Sequence, residues 1–283
     1  MDTAQALFQG PESRFIQAGA HQTHYVEGGH GEPVVLIHGG GPGADGWGNW
    51  HSCLPLLARN SRCIAVDMLG FGRTAKPDPA TFTYSQGART DHMIAFIDAL
   101  GCAKVSLVGN SMGGATALGV AMRRPDLVSR MVLMGSAGLT MKELPQALGP
   151  LMQYDGTAEG MVKVVRALTH PRFRIDDAMV EYRVAVSKTP GTMDALKATM
   201  AWVKSNNGLS YPDEAVSAIK VPTLIVGGKQ DPISTLDQAY RFLALLENSR
   251  GYLLPNTGHW VMIERPEEFC AAVEMFLRLP PED

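Results

Sequence analysis

Short apolar runs alternate with amphipathic helical stretches along most of the chain. A continuous apolar run is typical of a strand that is covered on both faces of a sheet. The runs lie at 33–38, 63–66, 105–108, 131–134, 221–226 and, more weakly, 251–254. Apolar positions with helical spacing occur at 91–100, 113–122 and 266–277. Because strands and helices alternate, we expect an α/β protein whose mostly parallel central sheet is flanked by helices.

One segment, residues 140–210, interrupts this alternation. It has helical spacing, several methionines and breakers at Pro145, Pro171 and Pro190, but no convincing strand run. We interpret it as a helical lid inserted into a core domain that comprises residues 1–139 and 211–283. An insertion at the C-terminal edge of a sheet can shape a ligand site without disturbing the core.

The composition is that of a globular chain. Of its 283 residues, 45% are hydrophobic and 19% are charged, which excludes a disordered protein. The formal net charge of -3 lacks the basic excess of proteins that bind nucleic acids or anionic membranes. No apolar run approaches the ~18 residues of a membrane span, and the N-terminus has no basic segment followed by an apolar core. We therefore expect a cytoplasmic protein whose partners include neither nucleic acid nor membrane.

The four cysteines, at 53, 63, 102 and 270, form no C-x-x-C pair. Free thiols in a reducing compartment are therefore expected rather than disulfides or a zinc site. No cluster of His, Cys and Asp residues has the spacing of metal ligands. We expect neither a metal nor an organic cofactor.

The strongest chemical motif is GNSMGG at 109–114, centred on Ser111. It follows the apolar run at 105–108 and opens a helix of small residues, which is the context that the G-x-S-x-G nucleophile elbow requires. In such a turn the serine adopts a strained backbone conformation, and glycines beside it let neighbouring backbone approach without a clash. The hydroxyl then lies at the sheet edge, above a helix N-terminus that favours negative charge. We predict that Ser111 is a nucleophile.

A serine nucleophile needs a base, and the base needs an acid that orients it. Asp231 follows an apolar run and lies just past the carboxyl end of a predicted strand, where catalytic groups of open α/β sheets gather. His259 lies in the loop before the last predicted helix and is the single histidine after Asp231. Among competing acids, Asp67 precedes the serine and Asp237 falls in a predicted helix. We predict a catalytic triad of Ser111, His259 and Asp231.

An oxyanion hole needs two N–H donors aimed at the oxygen that becomes negative. The amide of Met112, directly after the nucleophile, is one candidate. The second should come from the loop HGGGPG at 38–43, an HGGG-type turn whose glycines leave their amides open to a ligand. We favour Gly40 as this donor, with Gly41 as the alternative.

Four segments resemble one family. HGGGPGA at 38–44, GNSMGG at 109–114, KQDPI at 229–233 and TGHWVMIERPEEF at 257–269 are similar to motifs of the meta-cleavage product hydrolases. These are α/β-hydrolases that act late in bacterial breakdown of aromatic rings. The resemblance covers nearly the whole chain and implies an α/β-hydrolase fold. It implies a substrate as well, a 2-hydroxy-6-oxo-hexa-2,4-dienoate with an alkyl or aryl group at carbon six. Water would cleave a carbon–carbon bond to give 2-hydroxypenta-2,4-dienoate and a carboxylic acid.

The resemblance further implies residues that bind this substrate. Its carboxylate requires a cation, and the match to the family's lid arginine is Arg183, with Arg166, Arg172 and Arg174 as rivals. Backbone and polar groups around the substrate carry over to Gly39, Gly41, Asn49, Asn110 and Trp260. Apolar residues of 137–210 are candidates to surround the carbon-six group, notably Leu139, Met152, Phe173 and Trp202. An aryl group at that carbon, and a homodimer or larger assembly, are favoured on resemblance alone.

Other functions use the same three catalytic residues. A carboxylesterase or lactonase needs the same triad, and cofactor-free oxygenases or perhydrolases are built on the same fold. Haloalkane dehalogenases and epoxide hydrolases need an aspartate at the elbow, a position that Ser111 occupies. A non-enzymatic receptor on this fold predicts a lost triad. The sequence therefore favours the carbon–carbon bond hydrolase, with the esterase and the oxygenase as alternatives.

Overall fold

A computed structural model describes residue 7 and residues 9–280 of the chain. The N-terminal residues inspected for a signal peptide, and the outer ends of the predicted core domain, lie outside this part. Across the described ranges, none of the helices has the length and apolar character needed to cross a membrane.

A central sheet organises the described residues. Its strands are β1 Ser13–Ala18, β2 His21–Gly28, β3 Pro33–Ile37, β4 Arg62–Val66, β5 Val105–Asn110, β6 Val128–Met134, β7 Thr223–Gly228 and β8 Ser249–Leu254. Their spatial order is β1-β2-β4-β3-β5-β6-β7-β8. Strand β2 is antiparallel to both of its neighbours, and every pair from β4 to β8 is parallel. The predicted mostly parallel α/β sheet is therefore confirmed.

The helices follow the strands in alternation. They are α1 Gly46–Trp50, α2 Leu54–Leu57, α3 Gln86–Ala99, α4 Met112–Arg123, α5 Gly149–Met152, α6 Ala158–Leu168, α7 Asp177–Ser187, α8 Thr192–Ser205, α9 Asp213–Ser217, α10 Leu236–Leu245, α11 Val261–Glu264 and α12 Pro266–Leu277. Short 3₁₀ turns occur at Pro125–Leu127 and Gln146–Leu148.

The central strands are buried on both faces, as their apolar runs require. Along β3, Val35 and Ile37 pack into one hydrophobic cluster, whereas Val34 and Leu36 pack into another. Successive side chains of a strand point to opposite faces, so each cluster forms one layer between the sheet and its helices. Because helices cover both faces, the carboxyl ends of the parallel strands and the loops that follow them remain available for a site.

The region between β6 and β7 is helical and contains α5 to α9. Side-chain caps start two of these helices, since Thr157 accepts from the Gly160 amide before α6 and Asp176 accepts from the Ala178 amide before α7. The two ends of the region meet, because Leu139 and Tyr211 form an isolated parallel bridge. The helices thus form an insertion whose first and last residues lie next to each other at the edge of the sheet.

Candidate active site

Ser111 lies at the turn between β5 and α4. Its backbone has φ 53° and ψ -115°, a left-handed conformation that non-glycine residues rarely adopt. Hydrogen bonds hold the turn: the Ser111 amide donates to the Met134 carbonyl at 3.1 Å, and its carbonyl accepts from the Ala137 amide at 3.1 Å. The strained conformation is therefore fixed from both sides by the end of β6, which is the geometry expected of a nucleophile elbow.

The glycines of the elbow allow close backbone contact. A Cβ added at Gly109 would lie 2.5 Å from the carbonyl oxygen of Gly113, and one at Gly113 would lie 2.3 Å from that of Ile37. Moving a side chain could not relieve these clashes, because both contacts are to backbone atoms. Glycine at these positions therefore lets the start of α4 pack directly against β3 and β5.

His259 and Asp231 form a buried pair next to this turn. The imidazole Nδ1 lies 2.8 Å from Asp231 Oδ2, and both side chains are almost completely buried. Asp231 Oδ1 accepts from the amides of Ile233 at 2.7 Å and Ser234 at 2.9 Å. A carboxylate held in this way accepts a hydrogen bond from Nδ1–H of His259, which keeps the proton on Nδ1 and leaves Nε2 free to act as a base toward a nucleophile. His259 lines the same pocket as Ser111, so the three predicted residues are brought together at one edge of the sheet.

Gly135, which the sequence did not single out, packs against the His259–Asp231 pair. It has φ 51°, and a Cβ there would lie 3.0 Å from His259 Nδ1 and 3.2 Å from Asp231 Oδ2.

We expect Gly135→Ala to lower both kcat, by about tenfold or more, and the melting temperature. The fall in kcat is expected because a displaced imidazole loses much of its effect as a base. The matched control is Gly101→Ala, since Gly101 has φ 67° and open space around it. Equal kcat in the two variants, measured by steady-state kinetics, would contradict this role.

The glycine loop after β3 faces the serine. Gly40 and Met112 line the same pocket as Ser111. Met112 is the first residue of α4, so its amide has no acceptor within the helix. The two predicted oxyanion donors therefore lie at one pocket with the nucleophile. Gly39 and Gly41 line a smaller cavity beside it.

His38 fixes the shape of this loop. Its Nε2 accepts from the Met68 amide at 2.9 Å, which leaves Nδ1 to carry the proton and donate to the Gly39 carbonyl at 2.6 Å. Burial lowers the pKa of His38, so the ring is neutral at physiological pH. The histidine that begins the HGGG turn thus stabilises the conformation of the glycines by hydrogen bonding.

Arg183 lies in the smaller cavity, whose volume is about 210 Å³. Its Nη2 donates to Asn49 Oδ1 at 3.2 Å, and the guanidinium carbon lies 4.2 Å from the ring centre of Trp260. Asn49 in turn donates to Asn110 Oδ1 at 3.4 Å. Four of the six residues that the resemblance implied for substrate binding therefore form one polar cluster beside the serine pocket.

The charge of Arg183 is buried, and although Asp45 is near enough to attract it, the two do not form an ion pair. The residue is 1% exposed, and no carboxylate of the described residues forms an ion pair with it. Its Nε finds no hydrogen-bond partner within residues 7 and 9–280. Burial lowers its pKa to about 10, which still leaves it protonated at neutral pH. By contrast, the rival arginines Arg166, Arg172 and Arg174 are exposed to solvent.

An apolar pocket of about 650 Å³, counted to its open mouth, adjoins the cavity of Arg183 and is lined by Ser111 and His259. Side chains from the region between β6 and β7 form most of its wall, together with Ile233, and they are Met141, Leu144, Leu148, Leu151, Leu168, Met200, Val203 and Leu209. The four residues suggested from sequence, Leu139, Met152, Phe173 and Trp202, are not in this lining. Met152 is exposed, and Trp202 packs near the guanidinium of Arg89.

A carboxylate pair behind the polar cluster also escaped the sequence analysis. Asp45 caps α1 through the Gly48 amide at 2.6 Å and accepts from the Tyr182 hydroxyl at 2.7 Å. Burial and the nearby Asp67 raise the pKa of Asp45 to about 7.

Among the described residues, no group of three or more His, Cys, Asp or Glu side chains is arranged to hold a metal ion.

Comparisons with known proteins agree with this fold. The family model for the alpha/beta hydrolase fold matches residues 32–266. A relative from Metapseudomonas resinovorans, named 2-hydroxy-6-oxo-6-(2'-aminophenyl)hexa-2,4-dienoic acid hydrolase, is 50% identical over 93% of this chain and 90% of its own. A 2-hydroxy-6-oxo-2,4-heptadienoate hydrolase from Pseudomonas putida is 36% identical over 93% of this chain and 95% of its own.

A solved structure is similar as well. It is a serine hydrolase involved in carbazole degradation, with a TM-score of 0.89 and 48% identity, and the match covers 96% of this chain and 100% of that one. The chain belongs to the α/β-hydrolase fold family and, within it, to the meta-cleavage product hydrolases. The resemblance noted from the four sequence motifs is thereby confirmed.

Proposed function

We propose that this protein hydrolyses a 2-hydroxy-6-oxo-hexa-2,4-dienoate with an aryl group at carbon six to 2-hydroxypenta-2,4-dienoate and an aromatic carboxylic acid. The observation that carries this proposal is the buried cation of Arg183, which forms no ion pair with a carboxylate of the described residues, in a small cavity that shares Gly40 and Trp260 with the apolar pocket of Ser111. A substrate with a carboxylate at one end and an aryl ring at the other fits such a divided site. The name of the relative from Metapseudomonas resinovorans supports an aryl group at carbon six, whereas that of the relative from Pseudomonas putida supports only the 2-hydroxy-6-oxo-dienoate part of the substrate.

The residues divide the chemistry as follows. Carbon is a poor leaving group unless it departs as a stabilised enolate, so the dienol must first become a ketone. In this step His259 moves the proton of the 2-hydroxyl group to carbon five. Ser111 then attacks the carbonyl at carbon six, and the amides of Gly40 and Met112 stabilise the oxyanion. The bond between carbons five and six breaks and its electrons enter the enolate, whose oxygen receives the proton that His259 took from Ser111. Water, activated by His259, hydrolyses the remaining acyl group.

We also propose that residues 140–210 act as a lid on a core of residues 1–139 and 211–283. Support comes from the bridge between Leu139 and Tyr211, which closes the base of the insertion, and from the many pocket side chains that it contributes. A lid of this kind excludes water from the reacting carbon until the acyl group has formed. We further propose that the enzyme works in the cytoplasm as a homodimer or larger assembly.

A substrate panel tests the function. With purified enzyme, we expect the yellow dienolate absorbance of 6-phenyl substrate to disappear, with kcat/KM about tenfold or more above that of the 6-methyl substrate because the phenyl ring fills the apolar pocket. Neutral p-nitrophenyl esters should be turned over more slowly. Unchanged dienolate absorbance together with rapid ester turnover would indicate a carboxylesterase or lactonase. Oxygen uptake in place of hydrolysis would indicate a cofactor-free oxygenase.

A further inference from the structure

Two adjacent residues of α7 reach the same short core helix. Tyr182 donates its hydroxyl to Asp45 Oδ2 at 2.7 Å, at the cap of α1, and Arg183 donates to Asn49 Oδ1 at 3.2 Å, within α1. Burial and the carboxylate of Asp45 raise the pKa of Tyr182, so its hydroxyl stays protonated and remains a donor. Hydrogen bonds from Tyr182 and Arg183 thus join α7 to α1. The bond between Tyr182 and Asp45 involves no residue that we assign to substrate binding.

Asp45 joins the two helices with its two oxygens. Oδ1 accepts from the Gly48 amide at 2.6 Å and caps α1, while Oδ2 accepts from Tyr182. The surfaces are also in close contact, since a Cβ at Gly48 would lie 2.8 Å from the Tyr182 ring and one at Gly43 would lie 2.2 Å from the Arg183 carbonyl oxygen. One carboxylate therefore sets both the start of the helix that bears Asn49 and its distance from α7.

Arg183 itself is held weakly. Its two hydrogen bonds, to Asn49 at 3.2 Å and to the Gly48 carbonyl at 3.5 Å, both use Nη2, and Nε has none. A guanidinium binds a carboxylate strongly only when its planar fork is aligned with the two oxygens. The alignment must therefore come from the helix on which the arginine stands.

We propose that Tyr182 is a positioning residue, which through Asp45 fixes α7 against α1 and so aligns Arg183 with the substrate's carboxylate. This inference rests on the proposed function for its substrate. It assigns to Tyr182 no contact with the substrate and no step of the reaction. Its consequence is selective, because loosening the helix weakens binding of an acid end and leaves the apolar pocket unchanged.

The test is a matched pair of hydroxyl deletions, each of which removes one hydrogen bond to α7. Tyr182→Phe removes the bond to Asp45, whereas Tyr154→Phe removes the 3.0 Å bond between Tyr154 and Ser187 at the far end of α7. We expect Tyr182→Phe to raise KM for the 6-phenyl dienoate about tenfold with a smaller change in kcat, and Tyr154→Phe to leave both unchanged. Similar kinetics in the two variants, with each folded by circular dichroism, would overturn the proposal.

A binding measurement separates this inference from the proposed function. Calorimetry with 2,4-hexadienoate and its neutral amide, neither of which has a bond to cleave, should show a preference for the acid that Tyr182→Phe reduces about tenfold. In an Arg183→Gln background the same change should have little effect, since its influence passes through the arginine. Equal losses in both backgrounds would show that Tyr182 acts elsewhere. Intact acid selectivity without dienoate cleavage would overturn the proposed function alone.

Discussion

Ser111→Ala should lower the rate of carbon–carbon bond cleavage by about 10³ or more while leaving the affinity for the dienoate nearly unchanged. The hydroxyl is the group that attacks, whereas the carboxylate and the aryl ring are held by the polar cluster and the apolar pocket. The turn itself should survive, because its conformation is fixed by backbone hydrogen bonds and glycine contacts rather than by the hydroxyl. Stopped-flow absorbance gives the rate, and equilibrium titration of the yellow dienolate gives the affinity.

Ser136→Ala is the control for this variant. Ser136 is buried beside the elbow, and its hydroxyl donates to the Ala137 carbonyl at 2.6 Å and not to the pocket. Its removal should cost some stability and little activity. A rate for Ser111→Ala within tenfold of the unmodified enzyme, with contaminating activity excluded, would mean that water attacks the ketone without a serine.

Local signals explain why the centre of the sheet was predictable from sequence. The interior strands are buried on both faces, so they appear as continuous apolar runs, and the elbow needs glycines within a few residues of the serine. Asp237 lies in the first turn of α10, as expected, which leaves Asp231 as the acid beside His259. Each of these features is encoded within a short stretch of chain and in the order of the strands.

Features that depend on long-range packing were missed. Strands β1 and β2 lie at the sheet's antiparallel edge, where much of β1 is exposed, so neither sequence shows an apolar run. The segment 137–210 does line the pocket, but the four residues named from it do not. The helices after β6 bury apolar side chains both against one another and against the pocket, and helical spacing does not separate the two faces. The bond between Asp45 and Tyr182 joins positions 137 residues apart and has no motif.

Arg183→Gln should lower kcat/KM for the acidic dienoate by about 10² or more, because truncating one partner of a buried, hydrogen-bonded charge pair leaves the substrate carboxylate unpaired. The loss should be much smaller for the neutral amide of the same dienoate. Without substrate, the burial cost of the guanidinium outweighs its attraction to Asp45, and its hydrogen bonds are long, at 3.2 Å and 3.5 Å, so the charge disfavours folding. We therefore expect the variant to melt at a temperature no lower than that of the unmodified enzyme.

Arg89→Gln is a close match for this variant. Arg89 is also 1% exposed, its pKa is also lowered by burial to about 10, and it also lies near a tryptophan, but it lines neither cavity at Ser111. Its guanidinium donates to the Tyr84 carbonyl at 2.9 Å, so its loss should lower the melting temperature and spare kcat/KM. Arg183→Gln should thus lower kcat/KM and spare the melting temperature, whereas Arg89→Gln should do the reverse. This contrast distinguishes an arginine that binds substrate from one that stabilises the fold. Equal losses on the acid and the amide for Arg183→Gln would assign its role to packing, since packing does not distinguish a carboxylate from an amide.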